Sequence, residues 1–317
     1  MYCIVMKVPS HKKSISLGAV TLAYRHYPSP LNESVKESVE SEPFGETSHT
    51  SPLVLLHGWP ESSHSWNGVV QELQKMNYPG SILAIDLKGL GHSSRSLEWK
   101  SYKKQTMAAE VKQLLEQLGV DQFDLVGHDW GGVVAQELAI QWPESIQKLV
   151  ISNISLITHL EGLRKGKETK RGIFDVDWYQ SFQQTDLPSV LVPGNEEAFL
   201  RHFLRSPENV PSIPEDSIQE SIECYRIQGT PAAASFWYRT LPYDTRRWLG
   251  LRKHQFQMPV LLLYGNKDPV INLGYVEGFE SSFPDGRLVE LDAGHFCHEE
   301  RPEEFARELF KFLAPGA

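Results

Sequence analysis

The segment from residue 123 to 132, which reads FDLVGHDWGG, constrains the fold of this chain more than any other. Residues 123–126 form an apolar run long enough for one buried strand, and residues 133–138 read as the start of a helix. Glycines stand two residues before and two residues after Asp129, where a Cβ would collide with the backbone of a sharp turn. The segment therefore predicts a strand-to-helix turn that lifts Asp129 above a sheet, at a helix N-terminus that favours negative charge.

The central residue of such a turn is often a serine nucleophile, but here it is Asp129. A carboxylate can attack a carbon electrophile directly, and the product is an ester of the enzyme that water must then cleave. The sequence thus predicts a nucleophilic aspartate. An ordinary glycine-rich turn is the alternative, and the matching segments found elsewhere in the chain argue against it.

Short apolar runs alternate with helical patterns through the first half of the chain. Strands are predicted at 53–56 and 82–85, then at 123–126 and 148–151, with helices at 66–76, at 106–118 and from the turn to about residue 142. Two edge strands, 14–17 and 21–26, precede them. This alternation predicts a mostly parallel, doubly wound sheet, in which ligands bind at the carboxyl ends of the strands.

The alternation stops between residues 154 and 251, where aromatic residues and prolines are frequent and the segments read as helices. It resumes with a strand at 259–264, a helix at 273–283, a strand at 287–291 and a helix at 302–313. We therefore predict a core formed by residues 1–153 and 252–317, with a helical cap formed by residues 154–251. The Ser-, Glu- and Pro-rich stretch 28–51 is predicted to be a long polar loop.

The composition and the net charge indicate which classes of binding partner to expect. The net charge of −9 and the lack of a basic stretch with interleaved aromatics argue against nucleic acid. No run approaches the ~20 apolar residues of a membrane span. The three cysteines, Cys3, Cys224 and Cys297, lack the spacing of a zinc site, so we expect no metal and a reducing, cytoplasmic location. A homodimer is left open, and Cys297 is predicted to border the site because it lies near His295.

Two later strand ends offer the rest of a catalytic set. Asp268 follows the predicted strand 259–264, and His295 follows the last strand. A histidine held by a carboxylate can activate water against the ester on Asp129. The alternatives are a turn aspartate before Pro269 for Asp268, and a structural histidine for His295. His128, next to the nucleophile, is predicted to be structural.

Ester cleavage passes through an oxyanion that needs two backbone N–H donors. One is predicted to come from Trp130, which follows the nucleophile, and the other from Trp59, in the loop after the strand at 53–56. A cis peptide bond before Pro60 would help to aim the Trp59 N–H. The preceding His57 is predicted to order this loop.

These residues resemble the α/β-hydrolase fold and, within it, the epoxide hydrolase and haloalkane dehalogenase branch. The resemblance is carried by five segments: HGWPES at 57–62, DLKGLGHS at 86–93, GHDWGG at 127–132, GNKDPV at 265–270, and GH at 294–295. It implies a capped hydrolase fold, a two-step reaction and no cofactor. The aromatic cap implies a small apolar substrate, either an epoxide or an alkyl halide.

Epoxide hydrolases of this type carry two cap tyrosines that bind the epoxide oxygen. The segment FWYR at 236–239 looks like the second tyrosine motif, which makes Tyr238 a candidate, with plain packing as the alternative. The first motif matches residues 174–183 and leaves open whether Trp178 or Tyr179 faces the site.

Two other functions stay open. A dehalogenase would use the same nucleophile, with the indole of Trp130 on the halide, although Trp59 fits the epoxide branch better. The arginines that bind a haloacid carboxylate in fluoroacetate dehalogenases are replaced by Trp130 and Val133, which argues against a haloacid. A binding protein that kept the fold without turnover is the alternative of another class.

Overall fold

The computed structural model describes residues 11–30, 51–168 and 178–314. Most of the predicted polar loop at 28–51 therefore lies outside the described residues, as do Cys3 and the first part of the segment that was matched to the first tyrosine motif. Structural statements below concern the described residues.

An eight-stranded sheet forms the centre of the described chain, in the order β1-β2-β4-β3-β5-β6-β7-β8. Strands β1 and β2 are antiparallel to their neighbours, and all pairs from β4 to β8 are parallel. The bounds are β1 His11–Ser16, β2 Thr21–Tyr27, β3 Leu53–Leu56, β4 Ile82–Ile85, β5 Phe123–His128, β6 Ile146–Ser152, β7 Val260–Gly265 and β8 Gly286–Leu291.

Helices cover both faces of this sheet and also form the inserted region between β6 and β7. The core helices are α1 Asn67–Lys75, α2 Lys104–Gln117, α3 Trp130–Gln141, α11 Cys297–Glu300 and α12 Pro302–Leu313. The inserted helices are α4 Leu160–Glu168, α5 Trp178–Gln183, α6 Leu187–Leu191, α7 Glu196–Phe203, α8 Glu215–Arg226, α9 Thr230–Arg239 and α10 Leu241–Gly250. The predicted parallel, doubly wound sheet with an inserted helical cap is confirmed.

Side chains of β3 show how the two faces are built. Leu53 and Leu55 pack with α1 and α12 in one apolar cluster, whereas Val54 and Leu56 pack with α2 and α3 in the other. All four residues are completely buried, as expected for a central parallel strand covered on both sides. The second cluster extends into the cap, so core and cap share one apolar interior.

One predicted element is wrong. Residues 273–283 were expected to form a helix, but the structure contains only two short 3₁₀ turns, Leu273–Tyr275 and Phe279–Ser281. Gly278 separates them with a φ of +81°, a conformation that an α-helix does not contain. The apolar residues at helical spacing therefore pack from two turns rather than from one helix.

No helix in the described part of the chain combines the length and the apolar character that a bilayer span requires.

Candidate active site

Asp129 occupies the turn between β5 and α3 with a φ of 47° and a ψ of −127°. Positive φ is rare for a residue with a Cβ and costs on the order of 1–3 kcal/mol. The neighbouring glycines are required because the turn leaves no room for a Cβ at their positions. A Cβ on Gly131 would lie 2.4 Å from the carbonyl oxygens of Leu56 and His57, and one on Gly127 would lie 2.5 Å from that of Gly131. The sharp turn thus forms only with these glycines, and it directs Asp129 out of the sheet.

The carboxylate of Asp129 has two different surroundings. Its Oδ1 accepts a hydrogen bond of 2.9 Å from the backbone N–H of Trp59. Its Oδ2 lies 3.7 Å from Nε2 of His295. The Trp59–Pro60 peptide bond is cis, and Trp130 is the first residue of α3, where a helix leaves backbone N–H groups without internal partners.

His295 and Asp268 form a buried pair. Nδ1 of His295 hydrogen-bonds to Oδ2 of Asp268 at 2.7 Å. Asp268 also accepts hydrogen bonds from the backbone N–H groups of Val270 (2.7 Å) and Ile271 (2.9 Å) and from the amide of Asn153 (2.8 Å). Each of these donors favours the ionised form of Asp268. The carboxylate in turn accepts from Nδ1 of His295 and so fixes the tautomer of that ring.

The charges of this pair reinforce each other. Burial alone would raise the pKa of Asp268, but the attraction of His295 and the hydrogen bonds outweigh it, so this pKa is lowered. Burial opposes the charged form of His295 as well, yet Asp268 and Asp129 together raise its pKa well above the usual value. Both neighbouring carboxylates therefore favour the charged form of the His295 ring.

Tyr238 and Tyr179 lie side by side above Asp129. The ring of Tyr238, on α9, meets those of Trp59 and Trp130 edge-on at 5.6 and 5.2 Å. Tyr179, on α5, stacks on Trp59 at 5.7 Å and lies 5.8 Å from Tyr238. Burial, followed by the proximity of Tyr179 and Asp129, raises the pKa of Tyr238 well above its usual value, which keeps it a hydrogen-bond donor.

Trp178 lies further out than Tyr179. Its side chain is 43% exposed and packs against Phe182, His202 and Phe203 at the mouth of the site. The two candidates for the first tyrosine position thus differ in depth, and Tyr179 is the one next to Tyr238.

All the predicted site residues except Trp130 and Asp268 line one cavity of about 170 Å³. Its walls are mainly aromatic, and its polar groups are Asp129, His295, His202, Arg205 and the tyrosine hydroxyls. Asp268 lies behind His295, and Trp130 supports the wall through its contact with Tyr238. The sequence did not indicate His202 or Arg205, because nothing in their local pattern separates them from surface residues.

Glu61 and His128 form a second polar layer whose role the sequence did not reveal. Oε2 of Glu61 accepts hydrogen bonds from the Gly58 N–H and from Nδ1 of His128, both at 2.9 Å. Nε2 of His128 donates to the carbonyl of His295 at 2.8 Å. This layer connects the loop that carries Trp59 to the backbone of His295.

Three neighbouring donors, Glu61, His128 and His298, are close enough together to ligate a metal ion. However, Oε2 of Glu61 and both ring nitrogens of His128 already make hydrogen bonds, Oε1 of Glu61 lies 3.1 Å from Nε2 of His298, and all three side chains are buried away from the cavity. The arrangement is that of a hydrogen-bonded support.

His57 is also structural: its Nε2 accepts a hydrogen bond of 3.0 Å from the Leu87 N–H and so orders the loop after β3.

Cys297 lies behind the pair formed by His295 and Asp268 rather than on the cavity wall. Its Sγ contacts Oδ1 of Asn153 and the hydroxyl of Ser152, each at 3.2 Å. Asn153 in turn holds Asp268. Cys297 therefore borders the support of the site, and burial raises the pKa of its thiol above the ordinary value.

Comparison with known proteins identifies the family of this chain. The family model for the alpha/beta hydrolase fold matches residues 51–302. A soluble epoxide hydrolase of Corynebacterium sp. is 30% identical over 272 residues, covering 83% of this chain and 90% of that protein. Epoxide hydrolase 4 of Mus musculus is 30% identical over 271 residues, covering 82% and 72%.

Among solved structures, an epoxide hydrolase of Vigna radiata superimposes with a TM-score of 0.76 over 97% of this chain and 98% of that one, at 19% identity, which supports the fold alone. The family model matches most of this chain, and two relatives named epoxide hydrolase are 30% identical to it. The chain therefore belongs to the α/β-hydrolase fold family and is an epoxide hydrolase-like hydrolase.

Proposed function

We propose that this protein opens epoxides to vicinal diols through a covalent ester on Asp129. One observation carries the proposal: a single, mainly aromatic cavity is lined by a carboxylate on a strained turn, by two adjacent tyrosines and by a histidine paired with a second carboxylate. The names of the relatives at 30% identity support the same reaction.

In the first step, an oxygen of Asp129 attacks one epoxide carbon, and the C–O bond of the ring breaks at that carbon. The ring oxygen becomes an alkoxide and takes a proton from Tyr238, with Tyr179 as the second donor. Because burial and Asp129 raise the pKa of Tyr238, the phenol is protonated when the epoxide enters. General acid assistance of this kind is worth about 10²–10⁴ in rate.

In the second step, water attacks the carbonyl carbon of the ester. The proton of that water goes to His295, which must be neutral at that moment. Ester formation removes the charge of Asp129 that helped to raise the pKa of His295, so a protonated His295 can pass its proton to the phenolate left at Tyr238 and become neutral. The oxyanion is stabilised by the N–H groups of Trp59 and Trp130, and it collapses as His295 returns the proton of the water to the departing diol oxygen. Asp129 is left as the carboxylic acid, and transfer of its proton to His295 restores the starting state.

The proposal is tested by trapping the ester. His295→Ala removes the base and should leave alkylation intact, so exposure to a panel of epoxides is expected to add the mass of one whole epoxide to the protein. Asp129→Ala is the control and should show no adduct. Intact-mass spectrometry after each exposure measures both.

The same experiment with haloalkanes separates the rival reaction. An adduct equal to an alkyl group without its halogen, in the absence of epoxide adducts, would assign the protein to dehalogenation. The position of Tyr179 beside Tyr238 favours the epoxide, because an alkoxide needs a proton and a halide does not. No adduct from either panel would overturn the covalent mechanism and favour a protein that only binds its ligand.

A further inference from the structure

Trp59 makes two hydrogen bonds, one to the core and one to the inserted helices. Its backbone N–H donates to Oδ1 of Asp129 at 2.9 Å. Its indole N–H donates to the hydroxyl oxygen of Tyr225, also at 2.9 Å. Asp129 lies in the turn between β5 and α3, whereas Tyr225 belongs to α8. One residue of the loop after β3 therefore connects the carboxylate of Asp129 to a helix of the cap.

Tyr225 is placed for this contact and does not reach the cavity. Its side chain is 1% exposed, that of Trp59 is 4% exposed, and Tyr225 is not one of the lining residues. Burial raises the pKa of Tyr225 well above its ordinary value, so the phenol is neutral and its oxygen accepts the indole N–H. Because a buried polar group without a partner is costly, each of the two side chains holds the other in place.

The backbone on the other side of Trp59 is fixed as well. A Cβ on Gly58 would lie 2.5 Å from Cβ of Asp129, so this loop packs directly against the turn that carries Asp129. The Gly58 N–H donates to Oε2 of Glu61 at 2.9 Å. The position of the Trp59 N–H therefore depends on two supports, which are the loop itself and the Trp59 side chain.

The contacts of the Trp59 ring differ in how strictly they orient it. The ring stacks on Tyr179 at 5.7 Å and meets Phe203 edge-on at 4.9 Å, and both contacts tolerate small rotations within the ring plane. A hydrogen bond weakens steeply when its angle changes. The bond to Tyr225 is thus the contact that sets the orientation of the indole.

We propose that Tyr225 is a positioning residue, which holds the Trp59 backbone N–H, through the indole, at the place where the oxyanion of ester cleavage develops. This inference rests on the proposed function. When Oδ2 of Asp129 attacks the epoxide, Oδ1 becomes the carbonyl oxygen of the ester, and this oxygen is the one that the Trp59 N–H binds. Loss of a complete oxyanion donor slows such reactions by about 10²–10³-fold, and a displaced donor loses part of that.

The cap then acts on both steps of the reaction through different tyrosines. Tyr238 and Tyr179 act on the epoxide oxygen while the ester forms. Tyr225 acts on the ester carbonyl while water cleaves it, although it touches neither the substrate nor the water. The two roles predict opposite kinetic effects, because only loss of Tyr225 should spare the first step.

Tyr225→Phe removes the hydroxyl and keeps the ring. Single-turnover kinetics should show ester hydrolysis slowed by about tenfold and alkylation changed by less than about threefold. The pH midpoint of hydrolysis should not move, because a neutral phenol adds no charge near His295. Alkylation that slows as much as hydrolysis would overturn the proposal.

Tyr27→Phe is the matched control. Tyr27 is 2% exposed, its hydroxyl donates to Asn67 at 2.6 Å, and it packs in the apolar cluster of α1 and α12. This variant loses one hydrogen bond of a buried tyrosine far from the cavity and should leave both steps unchanged. Equal slowing of hydrolysis in the two variants would indicate a general loss of rigidity and contradict a role for Tyr225 in positioning.

The carbonyl stretch of the trapped ester reports the donor directly. In His295→Ala that carries the ester on Asp129, a hydrogen bond from the Trp59 N–H lowers the stretching frequency, which isotope-edited infrared spectroscopy measures. Addition of Tyr225→Phe should raise this frequency, and addition of Tyr27→Phe should not. Trp59→Phe keeps the backbone N–H and loses the indole, so Tyr225→Phe should cause no further rise in that background. A further rise of the same size would exclude the route through the indole.

A measurement on the free protein keeps this inference separate from the proposed reaction. The chain contains 8 tryptophans, and the NMR signals of Trp59 in protein with labelled tryptophan are identified by their absence in Trp59→Phe. Tyr225→Phe should speed hydrogen exchange at the indole N–H and at the backbone N–H of Trp59, whereas Tyr27→Phe should affect neither. Faster exchange at both groups supports the positioning role even if no epoxide reacts. Faster exchange at the indole alone refutes it, and the ester-trapping experiment then still decides the hydrolase function.

Discussion

Asp129 and Asp268 show how surroundings assign different roles to the same side chain. Asp268 accepts hydrogen bonds from two backbone N–H groups and from Asn153, and its side chain is 0% exposed, so no oxygen is free to attack. Asp129 accepts one backbone N–H and otherwise faces the cavity and His295. The first carboxylate is therefore suited to orienting His295, and the second to nucleophilic attack.

Asp268→Asn should slow ester hydrolysis far more than ester formation. Removal of the charge that raises the pKa of His295 is expected to lower that pKa, because the imidazolium loses its main stabilising partner. Single-turnover kinetics at several pH values would show the hydrolysis step reduced by about 10²-fold or more, with its pH midpoint moved to lower values. An unchanged midpoint would contradict the assigned role.

Tyr238→Phe and Tyr179→Phe should each slow alkylation of Asp129, by about 10²-fold for Tyr238, because each removes a proton donor to the epoxide oxygen. Hydrolysis of a trapped ester should change little. Trp178→Phe is the control: its exposed ring lies at the mouth, so alkylation is expected to stay within about threefold of the native rate. A larger loss in Trp178→Phe than in Tyr179→Phe would reverse the assignment. Rapid mixing that follows tryptophan fluorescence measures the step.

At the scale of elements, two loops are held together by Glu61 and His128. Glu61 belongs to the loop after β3, which presents the Trp59 N–H, and His128 ends β5 and reaches the carbonyl of His295. Both ring nitrogens of His128 thus lie within hydrogen-bond distance of an oxygen, one in each loop. The Trp59 N–H and His295 therefore share one buried support.

Glu61→Gln is expected to destabilise the protein by about 3 kcal/mol, because it removes the buried carboxylate that accepts hydrogen bonds from the Gly58 N–H and from His128. Glu168→Gln, which removes a carboxylate paired with Arg164 on the surface of α4, should change the stability by less than about 1 kcal/mol. Urea unfolding measures both values. Similar losses of stability in the two variants would show that the buried pair of Glu61 and His128 stabilises the fold no more than a surface ion pair does.

The sequence predicted the elements whose signal is local. The turn at Asp129 was predicted because its glycines stand next to it, and β3 because four apolar residues follow one another. The helix at 273–283 was wrong because apolar spacing outweighed Gly274 and Gly278 in that prediction.

Contacts between distant residues left no such signal. The link from Glu61 to His128 spans 67 residues, and that from Asn153 to Asp268 spans 115, so only the folded sheet brings each pair together. The sequence left the choice between Tyr179 and Trp178 open for a related reason. Neighbouring residues on a short helix point in different directions, and the segment alone does not say which side faces Tyr238.

At the scale of the molecule, Lys104 joins the core to the cap. It lies at the first position of α2 with a completely buried side chain. Its ammonium donates to the carbonyl of Trp237 at 2.6 Å and lies 3.2 Å from Asp244 of α10. It also sits 4.2 Å from the centre of the Trp130 ring. Because Trp237 precedes Tyr238, this lysine fixes the cap tyrosine relative to the nucleophile turn.

Lys104→Met should therefore reduce both stability and alkylation. It leaves Asp244 buried without its counter-charge, which costs about 3–5 kcal/mol, and it frees the carbonyl next to Tyr238. Lys75→Met is the control, since that lysine is 68% exposed in a surface pair and should be close to neutral. Denaturant unfolding and the rate of ester formation are the two measurements.

The double variant Lys104→Met with Asp244→Leu separates two effects of Lys104: the neutralisation of Asp244 and the positioning of the cap next to Tyr238. Replacing both partners of a buried pair by apolar residues removes the unpaired charge, so most of the lost stability should return. The hydrogen bond from Lys104 to the Trp237 carbonyl stays absent, and alkylation should therefore remain slower than in the native protein. If alkylation recovers together with stability, Lys104 serves folding alone. If stability recovers and the rate does not, the cap is held in register with the nucleophile by this one side chain.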